Sequence, residues 1–145
     1  MAPIIWMSLM LSPATGVVDK SLLIVNIHNL ETGKGEVHIA LYDSEVKFMV
    51  TEQRVAGLAI PVKSKEKLQV PLGAFPPGDY AIAVFHDLNG NGELDKNALG
   101  IPVEPYAFSN NPRAKWRAPT FRETQFKLRE PKQVIDIEMK RWKEY

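Results

Sequence analysis

Short runs in which apolar and polar residues alternate are the feature that most constrains the fold of this chain. In residues 23–27 and 37–41, every second residue is leucine, isoleucine or valine, which is the period of a β-strand with one buried face. Similar strand-like runs follow at 55–62, 67–72, 80–85, 121–129 and 134–140. Turn residues separate these runs, and no ten-residue stretch has a helical period. The pattern predicts an all-β fold, an antiparallel β-sandwich of about seven strands.

The first two strands predict a specific pairing. Residues 31–35 have the composition of a turn, with two glycines, so we expect 23–27 and 37–41 to form a hairpin. In that hairpin the two inward-facing rows lie side by side, with Val37 opposite Ile27.

Two further stretches differ from the simple alternation. Residues 80–85 are apolar on both faces, which predicts a central strand of a sheet. Residues 86–120 are rich in proline and show no strand period, so they are predicted to form one long irregular loop. A loop of this length in a compact domain is usually functional or ordered by a ligand.

Composition excludes several classes of protein. The chain has 145 residues, a length that suits one domain, and no cysteine, which excludes a disulfide framework, a thiol nucleophile and cysteine-ligated zinc or iron–sulfur sites. Its 18 Lys and Arg nearly balance 17 Asp and Glu, for a formal net charge of +1. Such a balance lacks the basic footprint of a dedicated nucleic-acid-binding protein, so we expect no nucleic-acid partner.

The beginning of the chain predicts export. No charged residue precedes Asp19, and residues 4–11 are almost entirely apolar but shorter than the about 20 residues that span a bilayer. Small residues follow at Ser12 and Ala14, as at the cleavage site of a secretory signal peptide, although the usual basic region is missing. We therefore expect a signal peptide at 1–14, a single β-sandwich domain at 15–145, a periplasmic or secreted location and no transmembrane segment. The alternative is an amino-terminal strand or helix packed on the core.

The segment that begins at Asp87 has the spacing of a calcium-binding loop. Counted from Asp87, oxygen-bearing residues occupy the odd positions up to nine and Gly92 occupies position six, as in an EF-hand loop. The predicted metal ligands are Asp87, Asn89, Asn91, Glu93 through its carbonyl, and Asp95. Position twelve is Ala98, so a carboxylate from Glu104 or Asp79 would complete the shell. The sequence predicts a weak structural calcium site or, alternatively, an ion-free loop whose Asp and Asn side chains cap their own amides.

The same region resembles a known family. The stretches 75–95, 100–104 and 106–111 closely resemble domain-of-unknown-function family 2141, and the resemblance extends over residues 20–140. The resemblance implies a bacterial, usually exported protein with a prealbumin-like or immunoglobulin-like sandwich. It implies no activity, because the family has none established.

The histidines invite two other interpretations. In the predicted hairpin, His28 and His38 share the outward face on diagonal positions, which would suit a zinc or copper site. Because no third ligand is evident, we interpret both as solvated strand residues. His86, Glu104 and Ser109 would suit an acid–base site if they met in a cleft. The chain contains no nucleophile elbow, zincin motif or phosphate-binding loop, so no catalytic residue is assigned.

Aromatic residues accompany basic ones at 113–117 and 140–143. A nucleic acid or an anionic surface could contact such clusters, but we interpret both as solvated faces, because the chain as a whole is nearly neutral. Trp116, Tyr106 and Phe108 are expected to pin the long loop to the sandwich, the alternative being that they line a ligand or partner surface.

Together these features favour an exported binding or interaction module, with a protein or envelope component as partner and calcium holding the loop. One alternative is a hydrolase-like enzyme, or a carbohydrate- or small-ligand-binding protein, with a pocket under residues 86–111. Another is a structural envelope protein.

Overall fold

In the computed structural model, which describes residues 19–145, each of the seven turn-separated runs contains a β-strand. An eighth, short strand lies within residues 86–120, which corrects the prediction that this stretch is irregular throughout. The strands are β1 (Ser21–His28), β2 (Glu36–Tyr42), β3 (Ala56–Pro61), β4 (Leu68–Phe75), β5 (Gly78–Asp87), β6 (Tyr106–Phe108), β7 (Phe126–Leu128) and β8 (Lys132–Glu138). A short helix, α1 (Phe121–Thr124), and two 3-10 turns at Thr51–Gln53 and Trp142–Glu144 accompany them. The predicted signal peptide, residues 1–14, lies outside the described residues.

The strands build two sheets, which confirms the predicted all-β sandwich. One sheet has the order β4-β1-β8, and the other has the order β3-β2-β5-β6 with β7 also paired to β5. These pairings are antiparallel except that of β1 with β8, which is parallel. Both sheets contribute inward-facing residues such as Val25, Ile39 and Ile82 to one apolar core.

The predicted hairpin between residues 23–27 and 37–41 is wrong, because β1 and β2 belong to different sheets. The inward-facing rows themselves are correctly predicted: Leu23, Val25, Ile27, Val37, Ile39 and Leu41 are at most 2% exposed. Alternation shows which side chains of a strand point inward. Two strands paired in one sheet and two strands facing each other from opposite sheets show the same alternation, so the pattern does not reveal which strands pair. Both edges of β1 are taken by β4 and β8, so the chain crosses to the other sheet after His28.

The run at residues 121–129 is a strand only at its end, which corrects a second prediction. Thr120 Oγ1 accepts a hydrogen bond from the Glu123 amide (3.2 Å), and the Glu123 carboxylate accepts one from the Thr120 amide (2.7 Å). This reciprocal capping box satisfies amides at the start of α1 and turns the chain into a helix before β7. The sequence signal was the Thr-x-x-Glu spacing of these two residues.

The outer face of the five-stranded sheet is where the long loop and the chain's last residues converge. β5 pairs with β2, β6 and β7, so the prediction of a central strand is confirmed. On the outer face, Tyr106 lies opposite Phe85 in the register, and Tyr145 stacks on Tyr106 with ring centres 4.9 Å apart. Among residues 19–145, no helix has the length and apolar character needed to cross a membrane.

Candidate functional site

Asp87 ends β5 and organises the loop that follows. Its side chain is completely buried. Oδ1 accepts hydrogen bonds from the amides of Gly90 (2.8 Å) and Asn91 (3.2 Å), and Oδ2 accepts one from Gly92 (2.7 Å). Burial raises the pKa of this carboxyl, but the three amide bonds and the nearby His38 together hold the pKa below its ordinary value. Asp87 is therefore a buried anion at neutral pH.

Three of the predicted calcium ligands meet at the tip of the loop. Asn89 Nδ2 donates to Asp95 Oδ2 (2.6 Å), and Asn91 Nδ2 donates to Asp95 Oδ1 (2.7 Å). The carbonyl oxygens of the two Asn side chains accept the amides of Asn91 (3.2 Å) and Glu93 (3.0 Å). The Asp87 carboxylate accepts loop amides, and Glu93 donates its own backbone amide. The side-chain cluster therefore consists of Asn89, Asn91 and Asp95.

Glu104 closes the loop from the other side. It is 4% exposed, and its two carboxylate oxygens accept the amides of Leu88 (2.9 Å) and Asp95 (3.1 Å). One buried carboxylate therefore ties the beginning of the loop to its far side. Asp79, the other residue considered for this position, lies near the opposite end of β5, eight residues or roughly 26 Å along the strand, too far to reach the loop.

A groove lies beside the loop on the outer face, with a volume of about 410 Å³. Tyr106 and Phe108 of β6 are among its lining residues, and Trp142 lines it from the carboxyl-terminal segment. Leu99 and Trp116 also line the groove and are 83% and 82% exposed. The basic residues that line it are Lys96, Lys115 and Arg117, and no lining residue among those described is acidic.

The aromatic residues of the long loop divide into two groups. Tyr106 and Phe108 are 8% and 6% exposed, so the prediction that they pin the loop is confirmed. The same prediction for Trp116 is wrong, because this side chain contacts the edge of Trp142 (ring centres 5.0 Å apart) and otherwise faces solvent. Trp116 is thus available to a ligand in the groove.

The carboxyl-terminal basic cluster is anchored, which corrects its interpretation as a solvated face. Arg141 pairs with Glu31 and donates to the Val103 carbonyl (2.7 Å). Trp142 Nε1 donates to the Lys115 carbonyl (3.0 Å), and Tyr145 OH donates to the Tyr106 carbonyl (2.7 Å). These contacts join the end of the chain to both sides of the long loop. Sequence reasoning missed them because they link residues far apart along the chain.

The residues considered for acid–base chemistry do not meet. His86 Nε2 lies 2.6 Å from the Lys34 carbonyl, and Ser109 Oγ donates to the Thr124 carbonyl (2.5 Å) and accepts the Ile82 amide (2.9 Å). Glu104 holds the loop as described above. None of these three lines the groove. Their contacts to the backbone give each of them a structural role.

The two outward-facing histidines are also separated. His28 Nε2 lies 2.7 Å from Asp136 Oδ1 in the three-stranded sheet, whereas His38 lies in the five-stranded sheet beside Asp87. The predicted pairing of His28 with His38 is wrong because it depended on the incorrect hairpin.

Comparison with known proteins identifies one family. The model of the family described as an uncharacterised protein conserved in bacteria (DUF2141) matches residues 25–136, most of the chain. No curated protein matches the chain, and no solved structure does.

Proposed function

The chain belongs to the DUF2141 family, and we propose that it is an exported, non-enzymatic binding module whose groove holds a small anion with an apolar body. The observation that carries this proposal is the groove itself, an apolar depression bordered by cations and lined by two almost fully exposed large side chains. Export is proposed from the apolar residues 4–11 that precede the first charged residue.

Exposed apolar residues support a binding role for the groove. Large apolar side chains that gather in one exposed place on a protein surface usually mark an interaction site. Leu99 and Trp116 both line the groove, and each leaves more than four fifths of its surface in water. A ligand with an apolar or aromatic body would cover them, and tryptophan offers a large, rigid contact surface for such a body.

Charge supports an anionic group on the ligand. Lys96, Lys115 and Arg117 line the groove without an acidic neighbour in its lining. Arg117 is paired with Glu123 (2.7 Å), and the Lys115 ammonium lies 4.5 Å from the centre of the Trp142 ring. The lysines therefore leave positive charge at the border of an apolar groove, where an anion is attracted.

Calcium is the proposed ion of the adjoining loop, at the cluster of Asn89, Asn91 and Asp95. Rotation of each Asn amide about its last side-chain bond exchanges nitrogen for oxygen, so two carbonyl oxygens would join the Asp95 carboxylate around a cation. The rotation gives up the bonds to the Asn91 and Glu93 amides, and only one carboxylate contributes. We therefore expect weak affinity, near the extracellular range of about 10⁻⁴–10⁻³ M. Bound calcium would stiffen the loop that forms one wall of the groove.

The groove can be tested with 1-anilinonaphthalene-8-sulfonate, which combines an aromatic body with a sulfonate. We expect one molecule to bind per chain with enhanced fluorescence, and Trp116→Ala and Leu99→Ser to weaken binding at least tenfold. Val46→Ser is the matched control, since Val46 is an 86% exposed apolar residue that does not line the groove. Uncharged N-phenyl-1-naphthylamine should bind more weakly than the sulfonate. Equal binding by the Trp116 and Val46 variants, or equal affinity for both dyes, would overturn the proposal.

A further inference from the structure

A separate cluster on the outer face, made of Glu36, His38 and Asp87, has the donors of a transition-metal site. We propose that these three residues bind one divalent transition-metal ion of the zinc type, with the remaining coordination position open to water. This inference rests on neither the groove nor the calcium proposal.

Strand register brings the three side chains together. Glu36 of β2 lies directly opposite Asp87 of β5, and His38 follows two residues later, opposite Phe85. Residues two apart on a strand share a face, so all three side chains project from the outer face. One ligand atom from each residue lies within 4.8 Å of the ligand atoms of the other two.

The distances around His38 suit metal ligands better than a hydrogen bond. His38 Nε2 lies 3.4 Å from Asp87 Oδ2 and 3.5 Å from Glu36 Oε2, and this buried nitrogen forms no hydrogen bond to a described residue. Zinc bonds to nitrogen and oxygen of about 2.0–2.1 Å in a tetrahedron put neighbouring ligand atoms about 3.3 Å apart. The nitrogen is thus spaced from each of the two oxygens like a pair of neighbouring ligand atoms in a tetrahedral zinc site, and the ligand atoms of Glu36 and Asp87 lie within 4.8 Å of each other.

The negative charges of Glu36 and Asp87 also favour binding of a cation at this cluster. Like charges directly opposite each other on neighbouring strands repel, and Glu36 and Asp87 are such a pair. Asp87 is completely buried, so its charge is poorly screened by water. A divalent cation between the carboxylates and the imidazole would turn this repulsion into attraction.

The surroundings hold two of the three ligands in place. The His38 ring is stacked on Phe85, with ring centres 4.6 Å apart and planes within 8°. Asp87 Oδ2 also accepts the Gly92 amide at 2.7 Å, the kind of supporting hydrogen bond that orients a metal-binding carboxylate. The side chains of His38 and Glu36 are 23% and 45% exposed, so the cluster lies close to the protein surface. One imidazole and two carboxylates favour zinc or a similar transition metal over calcium, which takes oxygen ligands only.

Calorimetry on chelator-treated full-length protein with zinc chloride tests the site. We expect one zinc ion per chain and a raised melting temperature that EDTA reverses. His38→Phe keeps a ring to stack on Phe85 but removes the nitrogen ligand, and it should weaken zinc binding at least tenfold. Glu36→Gln, at a half-exposed position that should tolerate the change, should also weaken it. His28→Gln is the matched control, because His28 is a strand histidine beside an acidic residue in the other sheet.

Cobalt gives a second readout, since tetrahedral and octahedral cobalt(II) differ strongly in visible absorption. We expect the intense bands of a tetrahedral site in the wild-type protein and their loss in His38→Phe.

Asp95→Asn should leave zinc binding unchanged while removing any calcium response, which separates this site from the loop proposal. Absence of zinc binding at neutral pH would overturn the inference. Equal zinc affinity of His38→Phe and the wild type would overturn it as well.

Discussion

Asp87 connects the strand, the loop and the outer face through a single carboxylate. Its two oxygens accept three loop amides, and Oδ2 also faces His38 at 3.4 Å. The spacing of acidic and amide residues after Asp87 predicted a loop in which this side chain binds calcium or caps nearby amides, and the amide capping could be anticipated because those residues are close in sequence. The proximity of Glu36 and His38 could not be predicted, since it depends on which strand pairs with β5.

Asp87→Ala should loosen the loop without unfolding the sandwich. The three amides lose their acceptor, and we expect a destabilisation of about 1–3 kcal/mol, because water replaces part of the lost bonding at the loop surface. Hydrogen exchange should accelerate at residues 88–104 and stay unchanged in β1. Asp43→Ala is a suitable control, since Asp43 is a partly exposed carboxylate paired with Lys47. Unchanged protection of the loop in Asp87→Ala would contradict the role given to this carboxylate.

Asp95 provides the corresponding test for calcium. Millimolar calcium should raise the melting temperature of chelator-treated wild-type protein, and Asp95→Asn should remove this response because it removes the only carboxylate of the cluster. Magnesium serves as the ionic-strength control, since it prefers a smaller, octahedral site. Equal effects of calcium and magnesium, or no effect of either, would contradict the calcium proposal.

At the scale of elements, the sequence predicted which face of each strand is buried better than it predicted which strands pair. Alternation in β1 and β2 identified the buried side chains, since burial is a property of each residue's own position. Pairing is decided by competition among strands, and β1 pairs with β4 and β8 through residues far away in sequence. α1 differs from the strand pairing, because its Thr120–Glu123 capping box is local. The sequence therefore carried a visible signal for this helix, although the alternation of residues 121–129 predicted a strand.

The capping box predicts a specific dependence on pH. The bond from Arg117 and the amide of Thr120 lower the pKa of Glu123 from 4.5 to about 2. A lowered pKa in the folded state means that Glu123 stabilises the fold above its unfolded pKa and loses this contribution as pH falls toward about 2.

The melting temperature of Glu123→Gln should therefore be lower than that of the wild type by a constant amount above pH 4.5. At lower pH, the difference between the two melting temperatures should shrink. Thermal melts from neutral to acidic pH measure this, with Glu130→Gln as a control at an exposed turn position. A difference between wild type and Glu123→Gln that does not depend on pH would mean that the Glu123 charge plays no part in capping α1.

At the scale of the whole molecule, the candidate binding features lie on one side of the sandwich. The long loop, the outer face of the five-stranded sheet and the carboxyl-terminal segment meet there, through contacts such as Arg141 with Val103 and Tyr145 with Tyr106. The sequence predicted that the 86–120 region would be special, because it lacks strand periodicity. A pocket under residues 86–111 was one alternative from the sequence, but the walls of the groove could not be predicted, because they come from segments that are separate in the chain.

Export can be tested on the protein isolated from its native cells. If residues 1–14 act as a signal peptide, mass spectrometry should find a chain that begins at Thr15, since cleavage is expected after Ala14. The cell fraction that contains the protein serves as the independent check. A cytoplasmic protein that retains residues 1–14 would contradict export.

The claim that the groove is the binding surface is tested most directly by NMR. Amide shifts of ¹⁵N-labelled protein would be followed during titration with 1-anilinonaphthalene-8-sulfonate. We predict saturable shifts at residues 94–102, 106–108 and 115–119 and at Trp142, the segments that line the groove, with the β4-β1-β8 sheet unaffected. Shifts confined to that sheet, or spread evenly over the whole surface, would contradict the account.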